Sequence, residues 1–88
     1  MRIVSQNGEL DFNYDSVTVR RAINLIYAIP TADNDMVLIA EYSTSEKAVQ
    51  AMHKLHAAYR NMRQLKQREN VFYYDFPKVF HFPADKEV

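Results

Sequence analysis

The sequence predicts an α+β fold, in which an antiparallel sheet of four to five strands, arranged as hairpin and meander, packs against one long amphipathic helix. A final strand and a C-terminal tail follow the helix. Three observations support this prediction: an Asn7-Gly8 pair typical of a hairpin, β-rich stretches at 16–29 and 36–42, and apolar residues at helical spacing from 48 to 62.

The 88 residues are enough for one domain. We place this single α+β domain at residues 1–77 and expect 78–88 to form an aromatic, proline-containing tail. The last residues of that tail, 84–88, are mostly charged, so we expect them to be solvated and mobile.

The first element is a predicted hairpin. Arg2–Gln6 would pair with Glu9–Asn13 across a two-residue type I′ turn at Asn7-Gly8, in which both residues need a positive φ.

Further strands are predicted before the helix. We expect two strands, at about 16–21 and 23–29, and the interruption at 21–24 fits either a tight turn or a bulge. Pro30 ends the second strand, since proline cannot donate to a ladder. Met36–Tyr42 is apolar on both faces for most of its length, which is typical of a central strand.

The helix begins at a predicted capping box, in which Ser43 caps the first turn and Glu46 reaches back. We expect it to end around 63–66, because the same phase turns Lys66 towards the core. Gln67–Asn70 would then be a loop. The apolar stripe has 4-3-4-3 spacing and comprises Ala48, Met52, Leu55, Tyr59 and Met62.

The last predicted strand is Val71–Phe76, which is β-branched and aromatic and is closed by Pro77.

Composition excludes several classes of site. The chain has no cysteine, so disulfides, thiolate zinc sites and thiol nucleophiles are impossible. One glycine is too few for a phosphate-binding loop. We expect no cofactor, no metal site and no catalytic residues. The start lacks a signal-like apolar region and no stretch is long enough for a membrane span, so a cytoplasmic location without membrane contact is expected.

Charge is unevenly distributed although the net charge is zero. Residues 44–68 carry six Lys or Arg against one Glu, whereas the flanking segments are acidic. This pattern predicts an anion-binding or nucleic-acid-binding face, and the alternative is a solvated helix face whose charges serve solubility. The candidate residues are Lys47, Lys54, His56, Arg60 and Arg63.

Aromatic residues concentrate near the C-terminus. Such residues suit a protein interface, and the alternative is that they fill the core or cover a sheet face. The candidate interaction residues are Tyr74, Phe76, Phe80 and Phe82.

Three stretches carry a resemblance. Met1–Gly8 (MRIVSQNG), Tyr42–Ala48 (YSTSEKA) and Phe82–Val88 (FPADKEV) are similar to the corresponding parts of small proteins of phages, prophages and other mobile elements of Gram-positive bacteria. The resemblance implies a phage-encoded or prophage-encoded protein in the cytoplasm of a bacterial host. It implies no activity and no site residue.

Together these features predict a small non-enzymatic binding protein that contacts a host or phage protein. The alternative is nucleic-acid or nucleotide binding through the basic helix 47–68. A structural homo-oligomer, for example a homodimer through a sheet edge or the aromatic tail, stays open at this point.

Overall fold

The computed structural model describes residues 1–32, 35–69 and 79–88, and it describes 62–69 by their backbone alone. The predicted α+β class is confirmed. The described elements are β1 (Arg2–Val4), β2 (Asp11–Asn13), a 3-10 turn (Tyr14–Ser16), β3 (Val17–Ala22), β4 (Leu25–Pro30), β5 (Val37–Glu41), α1 (Ser45–Glu69), β6 (Val79–His81) and a second 3-10 turn (Asp85–Glu87).

The strands in the described part of the chain form two three-stranded sheets rather than one. The first sheet has the order β2-β1-β6 and the second has the order β3-β4-β5. Neighbouring strands are antiparallel except for β1 and β6, which are parallel and place Ile3 beside Phe80. This one parallel pair joins residues 77 positions apart, a separation that local sequence patterns do not report.

The first hairpin has the predicted register but a different turn. Ile3 pairs with Phe12, as an Asn7-Gly8 turn requires. Of the two turn residues, only Gly8 takes a positive φ, of 80°. Its N–H donates to the Ser5 carbonyl at 2.9 Å. The turn is therefore not type I′. The Asn7 side chain accepts from the Ser5 hydroxyl and from the Glu9 N–H, and these bonds favour the observed turn.

The second sheet contains the two predicted strands on either side of a tight turn. β4 includes Pro30 as its last residue and is the central strand, whereas β5 lies at an edge. The prediction of a central position for β5 was wrong because of a bulge. The register shift opposite Ile26 and Tyr27 lets both Ile39 and Ala40 face the core, so an edge strand looks apolar on both faces.

The helix begins one residue later than predicted and runs further. Thr44 is the N-cap, and its hydroxyl accepts from the Lys47 N–H at 3.1 Å, so the predicted Ser43–Glu46 box is not the cap that forms. The helix continues to Glu69, through the predicted end at 63–66 and most of the predicted loop. Residues 63–69 are mostly strong helix formers. Their helix propensity outweighs the cost of continuing the helix through Lys66, a charged residue at an apolar position of the repeat.

One face of the second sheet packs on α1 and on the first sheet. Ala48, Ala51 and Leu55 of α1 are fully buried and join a single core cluster. The other members of that cluster are Ile3, Ile26, Ala28, Ile39, Ala40, Tyr42 and Phe82.

The C-terminal segment 79–88 is part of the packed domain, which corrects the predicted tail and the boundary at residue 77. Phe82 is 1% exposed, and Val88 packs against the core. Val79–His81 supply the strand that pairs with β1. The predicted strand at 71–76 lies outside the described residues.

Gln6 joins the two sheets to this segment. Its N–H donates to Ile39, its side-chain oxygen accepts from the Glu41 N–H at 2.9 Å, and its side-chain nitrogen donates to the Pro83 carbonyl at 3.2 Å. Two of these bonds satisfy backbone groups of β5, an edge strand whose outer backbone groups have no strand partner in the second sheet.

Candidate functional site

The face of the second sheet that points away from the core is apolar along its central strand. Ile26 and Ala28 of β4 are fully buried, so the alternate residues Leu25, Tyr27 and Ile29 point to the opposite side. These three are partly exposed and do not pack against the core cluster. We call this surface the outer face; its members are Thr18, Arg20, Ala22, Leu25, Tyr27, Ile29, Leu38 and Glu41.

The registers arrange the outer face in rows. Tyr27 lies at the centre, with Arg20 of β3 on one side and Leu38 of β5 on the other. In the row towards the β3–β4 turn, Leu25 lies between Ala22 and Glu41. An apolar stripe along β4 is therefore flanked by a cation at one edge and an anion at the other.

Leu38 is an exposed apolar residue on the edge strand β5. Its side chain is 46% exposed although its neighbours Ile39 and Ala40 are buried. Scattered exposed leucines are ordinary, but Leu38 is directly opposite Tyr27, so the exposed apolar atoms are contiguous. Such a contiguous patch is typical of a contact surface for another macromolecule.

The β3–β4 turn beside the outer face holds a strained residue. Ile23 has a φ of 58° and is 73% exposed. A β-branched residue is unfavourable in this region, because its Cβ crowds the backbone. Arg21 donates to the Ile23 carbonyl at 2.7 Å, and Asn24 donates to the Tyr42 carbonyl at 2.8 Å. These bonds hold the turn in place, so an apolar side chain stays extended into solvent.

The predicted anion-binding residues are not brought together as one site. Lys47 is held near the helix start, where its ammonium contacts the Asp85 carboxylate at 3.2 Å and the Asp85 carbonyl at 3.0 Å. Lys54, His56 and Arg60 are exposed on α1. Helical spacing places His56 and Arg60 on one flank and Lys54 on another. The side chain of Arg63 lies outside the described part of the chain.

The predicted aromatic interaction residues have a different role where the structure describes them. Phe82 is buried, and Phe80 is half-buried with its ring edge-on to that of Phe82 at 5.1 Å. Phe80 lies in β6 and Phe82 directly follows it, so Phe82 fills the core instead of an exposed surface, and a contact through Phe80 stays a prediction. Tyr74 and Phe76 lie outside the described residues.

The C-terminal segment is fastened to the start of the helix by polar contacts. The Tyr42 hydroxyl donates to the Pro83 carbonyl at 2.8 Å, and burial raises the pKa of that hydroxyl to about 12. The Ser43 N–H donates to the Asp85 carboxylate at 2.6 Å. This backbone bond, aided by Lys47, lowers the pKa of the Asp85 carboxyl. We call these contacts the C-terminal clasp, and their role is structural.

Other classes of site find no support in the described residues. Within 1–32, 35–61 and 79–88, no three His, Asp or Glu side chains lie close enough together to hold a metal ion. The described helix is too polar to cross a membrane.

The sequence conceals the outer face, because the apolar residues at 17, 19, 23, 25, 27 and 29 share one parity and so suggest a single face. The two-residue turn at Ile23-Asn24 reverses the sides, so that Val17 and Val19 face the core while Leu25, Tyr27 and Ile29 face outwards. The available signal was that Ile26 and Ala28 are apolar as well, which predicts a central strand with two apolar faces.

Comparison with known proteins found no matching family model, no matching curated protein and no matching solved structure.

Proposed function

We propose that this chain is a small non-enzymatic binding protein that acts through protein–protein contacts made by the outer face. The observation that carries the proposal is that the exposed Leu38 lies directly opposite the partly exposed Tyr27 of the β4 stripe. A contact surface with an apolar and aromatic centre and a charged rim is the usual composition of a protein interface.

The charge of the outer face favours a protein over a nucleic acid as its ligand. The face carries one cation, Arg20, and one anion, Glu41. A nucleic-acid site needs several cations that neutralise phosphates, and Glu41 would repel the same phosphates. A partner with a mixed-charge rim and an apolar centre fits this layout better.

We propose that a phage or mobile element encodes the chain and that the chain acts in the cytoplasm of a bacterial host. The support is the resemblance of the segments Met1–Gly8, Tyr42–Ala48 and Phe82–Val88 to small proteins of that origin. A binding role also agrees with the lack of cysteine nucleophiles and phosphate-binding loops in the sequence.

The test is affinity capture from host lysate with the tagged chain as bait. The lysate also contains an untagged copy of the chain, and the experiment has two arms, one with nuclease and one without. We expect one protein to be retained by the wild type in both arms and lost with Leu38→Arg, which places a cation in the apolar row that already contains Arg20. Gln50→Arg is the matched control, because it also introduces Arg but at an exposed helix position. Retention that is unchanged by Leu38→Arg, or retention of no protein, contradicts the proposal.

A second candidate is nucleic-acid binding through α1. The observation in its favour is that Lys54, His56 and Arg60 are exposed and have no ion-pair partner among the described residues. This function requires an affinity whose logarithm falls with log salt at a slope of about −0.9 per phosphate neutralised on duplex DNA. It also requires binding to be lost in the double variant Lys54→Glu/Arg60→Glu and retained in Leu38→Arg. An affinity independent of salt excludes it.

A further inference from the structure

We propose that the partner seated on the outer face is the outer face of a second copy of this chain, in a dimer whose two-fold axis runs parallel to β4. The inference rests on the proposed function, because it names the partner of the same surface. It is carried by the placement of Arg20 and Glu41 on opposite edges of that surface.

The geometry of two stacked sheets decides which residues meet. A two-fold axis along β4 places β4 over β4 and exchanges the edges, so that β3 of one copy lies over β5 of the other. Tyr27 then meets its counterpart at the centre. Arg20 lies over the row that contains Leu38 and is one row from Glu41 of the other copy.

The distances allow two symmetric ion pairs. Stacked sheets lie about 10 Å apart and neighbouring same-face residues are about 7 Å apart along a strand, so the Cα atoms of Arg20 and the opposing Glu41 are separated by about 12 Å. The extended side chains of arginine and glutamate together span about that distance. Each copy supplies one partner to each pair, so the apolar stripe is closed at both edges.

The alternative axis is unfavourable. If the two-fold axis lay in the interface, perpendicular to β4 and through the row of Tyr27, β3 would lie over β3 and Arg20 would face its own counterpart. Like charges directly opposed in a partly dry interface are strongly unfavourable. The charge layout therefore selects the parallel axis, and it selects a self-complementary partner without requiring any other protein.

The small size of the face sets the expected affinity. β3 and β4 have six residues each and β5 has five, so the footprint is about 14 by 20 Å, or about 560 Å² for both copies together, which is below the size of standard interfaces. Small interfaces of this kind are typically weak and reversible. We expect a dissociation constant of about 1–100 µM, which makes the state of the chain dependent on its concentration.

Sedimentation equilibrium of the purified chain from about 1 to about 500 µM tests the inference, a range chosen to bracket the affinity expected of a small interface. We expect the wild type to convert from monomer to dimer. Arg20→Glu and Glu41→Arg each place like charges at both pairs, and each is expected to weaken the dimer about tenfold or more. Lys54→Glu is the control and should dimerise as the wild type does.

The decisive arm is an equimolar mixture of the two single variants. In the mixed dimer each variant supplies the charge that the other now needs at both pairs, so association should return to within about threefold of the wild type. Circular dichroism confirms that both variants are folded. A wild type that stays monomeric throughout, or a mixture that is no better than its components, overturns the inference.

Failure of the dimer can be distinguished from failure of the proposed binding function. A purified chain that stays monomeric, combined with capture of another protein that depends on Leu38, overturns the second copy as partner and leaves the binding function in place. A chain that stays monomeric and captures nothing through Leu38 overturns both.

Discussion

Replacing Phe82 by alanine tests whether the C-terminal segment is part of the core. The side chain is 1% exposed, lies in the same cluster as Ile3 and Leu55, and packs edge-on against Phe80 at 5.1 Å. Truncating a buried phenylalanine to alanine costs about 3–5 kcal/mol, since both transfer free energy and contacts around the cavity are lost.

That loss is large for a chain of this size. At about 0.05–0.15 kcal/mol per residue, 88 residues have a free energy of unfolding of about 4–13 kcal/mol. With a urea m value of about 1 kcal/mol/M, Phe82→Ala should lower the unfolding midpoint by about 3 M or more. The milder Phe82→Leu should lower the free energy of unfolding by about 1–2 kcal/mol, which keeps the effect measurable if the alanine variant is unfolded.

The assay is urea unfolding followed by far-ultraviolet circular dichroism, with Val79→Ala as the matched control. Val79 lies in the same strand but is 62% exposed, so its truncation should change the free energy of unfolding by less than about 1 kcal/mol. If Phe82→Ala and Val79→Ala have the same midpoint as the wild type, the C-terminal segment does not contribute to the core and the reasoning is refuted.

Three further outcomes are expected. Ile23→Asn should raise the free energy of unfolding by about 1 kcal/mol and the melting temperature by about 4–8 °C, because asparagine tolerates a positive φ; Ile23→Val should leave both unchanged. Tyr42→Phe should lower the free energy of unfolding by about 1 kcal/mol, because it removes the hydroxyl that donates to the Pro83 carbonyl. Since the pKa of Tyr42 is raised to about 12, this stabilisation is complete below pH ~10 and is lost as the pH rises to 12, so the variant should show a flatter alkaline stability profile than the wild type. Because the pKa of Asp85 is lowered, its stabilisation is present above the unfolded pKa of ~3.9 and is lost as the pH falls through the folded pKa. Asp85→Asn should therefore show a smaller fall in urea midpoint between neutral and strongly acidic pH, and an equal fall in both proteins would contradict the clasp.

The local features of this fold could be predicted from the sequence. The Asn7-Gly8 pair and the alternation around it predict the register of the first hairpin, and the apolar stripe predicts the buried face of the helix. Each of these signals comes from residues a few positions apart. The finer choice of turn and cap was missed, because several polar residues compete for the same backbone donors there. At the helix start, Ser43 and Thr44 are neighbours, and Thr44 forms the cap.

The non-local features could not be predicted in this way. The stretch from Phe80 to Phe82 predicts equally well an exposed aromatic tail and a buried strand, and only the presence of β1 beside it decides. The same applies to the candidate site. Whether Leu25 and Tyr27 face the core or solvent depends on the two-residue turn before them, and their residue types are the same in either case.

The adjacency of β1 and β6 has a consequence for how the protein is made. Ile3 shares a core cluster with Phe82, which emerges from the ribosome almost eighty residues after it. Until then the nascent chain holds α1 and the second sheet without the strand that completes the first. Because contacts between distant segments form slowly, a transcript cut short after the helix yields a polypeptide with an open core that is prone to aggregation and accessible to proteases. Only a chain translated through Phe82 can therefore close the core around Ile3.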